Sequence, residues 1–173
     1  MTKEATGKEN GLDVAIMMGS KSDLAVMKPA ADVLTGLGLA VEIRVLSAHR
    51  TPEETAAFVK EAGRRGVKAF ICGAGGAAHL AGAVAAHTLR PVIGVPVPGG
   101  TLGGLDSLLS TVQMPPGMPV ATVAIGGAEN AGLLAAQIIA LSDPSVAAKV
   151  EAERATRRKK VLDSDAEVRG KAV

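Results

Sequence analysis

The stretch Val14-Ala15-Ile16-Met17-Met18 followed by Gly19-Ser20-Lys21-Ser22-Asp23 decides the fold of this chain. Five consecutive apolar residues that stop at a glycine are typical of a strand that is buried on both faces, as in a parallel sheet. A helix is predicted from about Leu24 to Gly36, because apolar residues recur there at every third or fourth position and glycines follow. Strand, polar loop and helix in this order are the first half of a right-handed βαβ unit.

The same alternation continues along the chain. The further predicted strands are residues 39–45, 69–72, 92–95 and 120–125, and the further predicted helices are 51–65, 77–87, 105–112 and 130–141. The second helix has the strongest start signal, Thr51-Pro52-Glu53-Glu54, with threonine as the N-cap and proline at the first helical position. Five strands that alternate with helices predict an α/β fold with a parallel sheet covered on both faces.

Composition sets the domain organisation and excludes several classes of protein. We expect a disordered tail over residues 1–11, one folded domain over 12–144 and a charged helix or tail over 145–173. The 19 basic and 17 acidic residues are balanced along the chain, which excludes a nucleic-acid binder that depends on a basic surface. No apolar run approaches the roughly 20 residues of a membrane span, so we expect a soluble cytoplasmic protein.

Cysteine and histidine usage excludes two further kinds of site. Cys72 is the only cysteine, so the chain has no internal disulfide, and it ends an apolar strand, where an inert side chain is more common than a nucleophile. The three histidines and the cysteine lack metal-ligand spacing, so no metal site is predicted.

Only Phe58 and Phe70 are aromatic, and the core must therefore be built from close approach of small and branched side chains.

The first predicted site loop offers groups that suit a phosphate and a ribose. Ligands of open parallel sheets bind outside the carboxyl ends of the strands. Ser20 and Ser22 supply hydroxyls beside backbone N–H groups at a helix start, and Asp23 suits ribose hydroxyls. The alternative is that Ser22 or Asp23 only caps the helix. Neither Gly-x-Gly-x-x-Gly nor a Gly-Lys-Ser/Thr phosphate loop follows the strand, so we do not expect a dinucleotide or a nucleoside triphosphate as the ligand.

The second loop adds a side chain that can carry a proton, and the third loop adds a glycine-rich backbone that a planar ligand can approach closely. Ser47, His49 and Arg50 lie in one loop, where Arg50 can bind a phosphate through paired N–H groups and His49 can move a proton. The third loop, Gly73-Ala74-Gly75-Gly76, lets backbone approach a planar ligand, with His79 near the next helix start. The alternatives are a histidine without a catalytic role and a glycine run that serves packing alone. These loops predict binding of a small phosphorylated, ribosylated molecule, and they leave the reaction open.

Six motifs in order resemble a known enzyme family. They are Gly19-Ser20-Lys21-Ser22-Asp23, Ser47-Ala48-His49-Arg50-Thr51-Pro52, Gly73-Ala74-Gly75-Gly76-Ala77-Ala78-His79-Leu80, Leu105-Asp106-Ser107-Leu108-Leu109-Ser110, Val112-Gln113-Met114-Pro115 and Asn130-Ala131-Gly132-Leu133-Leu134-Ala135-Ala136-Gln137. Together they resemble the 5-(carboxyamino)imidazole ribonucleotide mutases of de novo purine biosynthesis, the catalytic subunits of phosphoribosylaminoimidazole carboxylase. The resemblance covers about residues 13–141.

The resemblance implies a fold, an assembly and a reaction. The fold is a flavodoxin-like three-layer αβα sandwich, the assembly is a homo-octamer, and the reaction uses neither a metal nor an organic cofactor. A carboxylate moves from the exocyclic nitrogen of the imidazole ribonucleotide to ring carbon four. The carbamate substrate would come from an ATP-dependent carboxylase, which implies a functional link to that enzyme.

The resemblance also implies residue roles. Ser20, Asp23 and Arg50 bind the phosphate and ribose, and His49 is the general acid and base. Carbon dioxide released inside a closed pocket is recaptured by carbon four, and residues 73–78 enclose it. Two features depart from the family pattern: Ala81 stands where proline is common, and the loop 98–104 is unusually rich in glycine.

Three other functions compete with the mutase. One is the related carboxylase that uses free carbon dioxide, although Arg50 with Gly75-Gly76-Ala77-Ala78-His79 resembles the mutase type. Another is a nucleotide carboxylase with a catalytic cysteine, for which Cys72 is the one candidate. The third is a scaffold subunit that binds a nucleotide without catalysis, which would have no need of His49 as a proton carrier.

Overall fold

The computed structural model describes residues 11–171, which form a five-stranded parallel sheet with helices on both faces. The strands are β1 (Val14–Met18), β2 (Val41–Val45), β3 (Ala69–Ala74), β4 (Val92–Pro96) and β5 (Ala121–Thr122). The helices are α1 (Leu24–Gly36), α2 (Pro52–Arg64), α3 (Leu80–Ala85), α4 (Leu105–Val112), α5 (Ala128–Ala140) and α6 (Pro144–Lys171). The strand order β2-β1-β3-β4-β5 is that of flavodoxin-like sheets, which confirms the predicted fold.

Each face of the sheet carries its own hydrophobic layer, because successive side chains of a strand point to opposite faces. Ile16 and Met18 of β1 belong to the layer covered by α1 and α5, together with Met27. Ala15 and Met17 belong to the opposite layer, which α2 and α3 cover. All five residues of β1 are buried, as expected for the central strand of a sheet that is covered on both sides.

Small residues let the elements approach closely where large rings are absent. Helices α1 and α5 make a tight contact at Gly132, where an added Cβ would lie 2.5 Å from Val33 Cγ1 and 2.9 Å from the carbonyl oxygen of Ala30. In β4, a Cβ at Gly94 would collide with the side chain of Thr111 in α4. The core therefore depends on glycines at a contact between two helices of one layer and at a contact between the sheet and α4.

Two elements are much shorter than predicted. Helix α3 spans Leu80–Ala85 instead of 77–87, because Gly76 adopts a φ of +59° and the chain bends before the helix starts. Strand β5 has two paired residues instead of six, since it meets only Ile93 and Gly94 of β4. The charged segment after 145 lies in one continuous helix, α6, and every residue from 154 to 170 is exposed.

The predicted N-terminal tail lies, except for Gly11, outside the described residues, and the domain boundaries stay a prediction. No helix within residues 11–171 combines the length and apolar character that a membrane crossing requires.

We expect Gly132→Ala to lower the free energy of unfolding by about 2 kcal/mol, because the new methyl group would push α5 away from the α1 backbone. Gly63→Ala is the matched control, since a Cβ on this helical glycine of α2 meets nothing within 4 Å. That control should gain up to about 1 kcal/mol from its higher helix propensity. Urea unfolding of both variants measures the difference, and equal stabilities would contradict the close contact.

Candidate active site

A polar pocket of about 370 Å³ lies at the carboxyl edge of the sheet. Its lining comes from the loops that follow β1, β2 and β3 and from the start of α3. The lining residues are Gly19, Ser20, Asp23, Ser47, Ala48, His49, Arg50, Ala74, Gly75, Ala77, His79 and Leu80. Such a volume is typical of pockets for small molecules.

The loop after β2 is held by a turn between Ser47 and Thr51. Thr51 Oγ1 accepts a hydrogen bond from the Ser47 backbone N–H at 2.8 Å and donates to the Ser47 carbonyl oxygen at 3.1 Å. Thr51 occupies the predicted N-cap position of α2, but its hydroxyl caps no helix N–H. The sequence signal thus gave the correct helix start, and the hydroxyl instead fixes the loop that carries His49 and Arg50.

Arg50 joins the first and second loops. Its Nη2 donates to the carbonyl oxygen of Gly19 at 2.5 Å, and its Nε lies 3.4 Å from Ser47 Oγ. The Arg50 backbone N–H also donates to Ser47 Oγ at 3.2 Å. Because a guanidinium carries five N–H donors, most of them remain free to bind an anion in the pocket. These contacts hold the positive charge at the pocket wall.

The loop after β1 uses its hydroxyls partly for its own structure. Ser20 Oγ accepts a hydrogen bond from the Ser22 backbone N–H at 3.3 Å, which caps the short 3-10 turn Lys21–Asp23. Ser22 Oγ lies 2.8 Å from Ser20 Oγ and 3.2 Å from Asp23 Oδ1. The Asp23 side chain makes no capping bond to α1, although Asp23 occupies its N-cap. The carboxylate of Asp23 therefore lines the pocket and does not serve the helix.

The glycine-rich loop after β3 divides into pocket and packing positions. Ala74 and Gly75 line the pocket, and a Cβ at Gly75 would meet Val97 at ordinary contact distance. Gly73 is buried in β3, where a Cβ would collide with the side chain of Met27. Gly76 is exposed and supplies the turn through its positive φ. The packing interpretation thus holds for Gly73, and the approach of a planar ligand to Ala74 and Gly75 stays a prediction.

His49 and His79 are in direct contact across the pocket. His49 Nε2 lies 2.8 Å from His79 Nδ1, and the two rings are nearly perpendicular, with 81° between their planes. Both residues are exposed, so the pair is accessible to a ligand. An imidazole can take up or release a proton near neutral pH. This pair is suited to acid and base chemistry.

Most of the predicted site residues meet in this pocket. Those that line it are Ser20, Asp23, Ser47, His49, Arg50, Ala74, Gly75 and His79, whereas Ser22, Gly73 and Gly76 lie outside the lining. The sequence reasoning did not single out Gly19, Ala48, Ala77 or Leu80. Gly19 acts through its carbonyl oxygen, which no side-chain pattern reveals, and the other three stand inside the motifs without polar side chains. The roles of the predicted residues in binding stay a prediction.

Cys72 has the properties of a packing residue. Its side chain is buried in the layer beneath α2 and α3, and burial raises the pKa of its thiol far above the ordinary range. The thiolate is the reactive form of cysteine, so this side chain is a poor nucleophile at neutral pH. Among residues 11–171, no three His, Cys, Asp or Glu side chains cluster in a way that would hold a metal ion.

We expect Cys72 in the folded protein to resist modification by a thiol reagent at pH 7, because its thiol is both buried and protonated. The same reagent should label it completely in concentrated urea, which serves as the control. Stoichiometric labelling of the native protein within minutes would contradict the buried, protonated thiol.

Comparison with protein families and curated proteins identifies relatives over most of the chain. The family model described as AIR carboxylase matches residues 13–160. An N5-carboxyaminoimidazole ribonucleotide mutase from Thermotoga maritima is 54% identical over 87% of this chain and 88% of its own length. A protein of the same name from Vibrio cholerae is 56% identical over 88% of this chain and 96% of its own length.

A solved structure shares the fold as well as sequence. The crystal structure of PurE from Treponema denticola superposes with a TM-score of 0.82 at 32% sequence identity. The match covers 89% of this chain and 96% of that one. Sequence family, relatives and fold agree, and the chain belongs to the AIR carboxylase family.

Proposed function

We propose that this chain is an N5-carboxyaminoimidazole ribonucleotide mutase of purine biosynthesis, with the pocket at the carboxyl edge of the sheet as its active site. The observation that carries this proposal is the contact of His49 with His79 beside the anion-binding Arg50, inside one pocket of suitable volume. The names of the relatives in Thermotoga maritima and Vibrio cholerae support the same reaction.

The charges of the pocket suggest how the ribonucleotide is oriented. The free N–H groups of Arg50 and the hydroxyls of Ser20 and Ser47 suit the phosphate, since charge-assisted bonds to a guanidinium are strong. The carboxylate of Asp23 would repel a phosphate and instead accepts hydrogen bonds from ribose hydroxyls. Ala74 and Gly75 present little bulk, so the planar imidazole can lie close to their backbone. His49 and His79 then face the base.

His49 serves as both acid and base in the proposed carboxyl transfer. It donates a proton to the exocyclic nitrogen as the bond from that nitrogen to the carboxylate carbon breaks, which releases carbon dioxide. Carbon four of the electron-rich ring attacks the carbon dioxide and forms the new carbon–carbon bond. His49 then takes the proton from carbon four, which restores the aromatic ring. One proton leaves the histidine and one returns, so the enzyme ends as it began.

The family also supports a carboxylase that takes free carbon dioxide and aminoimidazole ribonucleotide. The specific observation behind this second candidate is the name of the matching family model, AIR carboxylase. Both reactions form the same bond at carbon four and then remove the proton from that carbon. They differ in the first step, because only the mutase breaks a bond from nitrogen to carbon and donates a proton to that nitrogen, whereas in the carboxylase the carbon dioxide enters from solution and the carbon-four proton is released.

We propose further that the chain works as a homo-octamer in the cytoplasm, next to the ATP-dependent carboxylase that makes its carbamate. The exposed apolar face of α4, formed by Leu105, Leu109 and Val112, supports an assembly that covers it. Light scattering at the assay concentration measures the assembly, and a monomer there would contradict the octamer.

Turnover of two substrates tests the function and the role of His49. We expect the wild type to convert freshly made carbamate far faster than aminoimidazole ribonucleotide with bicarbonate. His49→Gln should lower kcat by about 10²- to 10⁴-fold, because its amide cannot carry the proton. His87→Gln is the control, since His87 is an exposed histidine outside the pocket and should keep full activity.

Each alternative has its own result in this assay. Turnover only with free carbon dioxide would make the chain a carboxylase. Turnover of neither substrate would leave a nucleotide-binding subunit. Full activity of His49→Gln would contradict the proton-transfer role.

Arg50→Met should raise KM by at least about tenfold, because it removes the cation that binds the phosphate. The loss should shrink for a substrate analogue that lacks the phosphate group. Arg90→Met, an exposed arginine outside the pocket, is the matched control and should leave KM unchanged. An equal effect of Arg50→Met on both substrates would contradict a phosphate contact.

A further inference from the structure

The contact between His49 and His79 joins two loops from strands that are not neighbours. His49 follows β2 and His79 precedes α3, and β1 lies between β2 and β3 in the sheet. The 2.8 Å separation of His49 Nε2 and His79 Nδ1 is that of a hydrogen bond. Both residues are exposed, so the fold does not bury this pair in its core. Because this contact adds little to core packing, we examine it for a role in the proposed reaction.

Only one hydrogen atom fits between the two nitrogens. If both imidazoles were protonated on both nitrogens, two N–H groups would point at each other across 2.8 Å. The intact pair therefore holds at most one positive charge. In one arrangement His49 Nε2 donates to His79 Nδ1, and in the other His79 Nδ1 donates to His49 Nε2. Either way, Nδ1 is the only nitrogen of His49 that remains available to a substrate.

The two arrangements differ in what His49 can do. When Nε2 of neutral His49 holds the proton, its Nδ1 has a free lone pair and can accept the proton of carbon four. When His79 is the donor, Nδ1 of neutral His49 is already protonated and cannot act as a base. Only the first arrangement lets the same nitrogen release a proton and later take one back. The acid and base steps then require no rotation of the ring.

We propose that His79 is a positioning residue that accepts the Nε2–H of His49 and so keeps Nδ1 of His49 as the reacting nitrogen. This inference rests on the proposed carboxyl transfer. In the acid step, His49 as imidazolium donates a proton from Nδ1. During this step, its Nε2–H stays hydrogen-bonded to His79. In the base step, Nδ1 receives the carbon-four proton and the imidazolium is restored. His79 gains and loses no proton of its own during the cycle.

The other charged groups of the pocket act equally on all variants of His79. Asp23 and Arg50 are the remaining ionisable side chains in the lining, one from the loop after β1 and one from the loop after β2. They stay in place when His79 is replaced, so a change in kcat reports the lost hydrogen bond. His79 is exposed, and we expect its replacement to leave the stability of the fold nearly unchanged.

Kinetics of two replacements test the positioning role. His79→Leu should lower kcat by about 10- to 100-fold with little change in KM, because the His49 imidazolium loses its acceptor. His79→Asn should recover most of this loss, since its amide can accept the same hydrogen bond without titrating. His87→Asn is the control and should match the wild type in both kcat and KM.

Nitrogen NMR of protein labelled with ¹⁵N-histidine supplies a readout that is independent of turnover. In the free wild type with both rings neutral, we expect His49 to carry its proton on Nε2, with Nδ1 unprotonated. His49→Gln assigns the signal by removing it. In His79→Leu, we expect the signal to become that of a mixture of both tautomers.

The outcomes separate the inference from the proposed function. A wild type that turns over no carbamate would refute the function, while the NMR spectrum would still decide the tautomer. A proton on Nδ1 of neutral His49 would overturn the positioning role. So would kinetics of His79→Leu that match those of His87→Asn, or a His79→Asn variant as impaired as His79→Leu.

Discussion

Parallel pairing of β1 with β2 on one side and with β3 on the other is the constraint on which the site depends. Met18, the last residue of β1, pairs with Val45 of β2 and with Gly73 of β3. The three strands thus end at nearly the same level, and their loops begin side by side. A shift of either register would separate the serines, the basic loop and the glycine run. His49 could then no longer reach His79.

Tight packing beneath the pocket keeps this edge in place. Met27 of α1 occupies the space beside Gly73, so that helix and strand meet directly under the site. Ser47 and Thr51 hold the neighbouring loop through two short hydrogen bonds. Packing and hydrogen bonds therefore hold the backbone that carries the polar side chains in place, as a preorganised site requires. His49, Arg50 and His79 remain exposed and accessible to a ligand.

The sequence predicted the parts of this molecule that local patterns determine. The apolar run of β1 and the proline start of α2 gave the correct strand and helix, and the strand-end rule brought most of the site residues to one pocket. Local sequence patterns did not predict the features that depend on tertiary contacts. Strand β5 pairs with β4 only through Ala121 and Thr122, opposite Ile93 and Gly94. The hydroxyl of Thr51 binds Ser47 instead of capping its helix, and the contact of His49 with His79 spans 30 residues that no local pattern connects.

The central claim is that carbon dioxide moves within one pocket from nitrogen to carbon, with His49 shuttling the proton. The most direct measurement uses carbamate substrate labelled with ¹³C in its carboxylate, in unlabelled bicarbonate with carbonic anhydrase present to equilibrate free carbon dioxide. The account predicts that the carbon-four carboxylate of the product keeps nearly all of the label, because enclosed carbon dioxide is recaptured before it escapes. A product whose label has fallen to the level of the bulk bicarbonate would contradict transfer within the pocket.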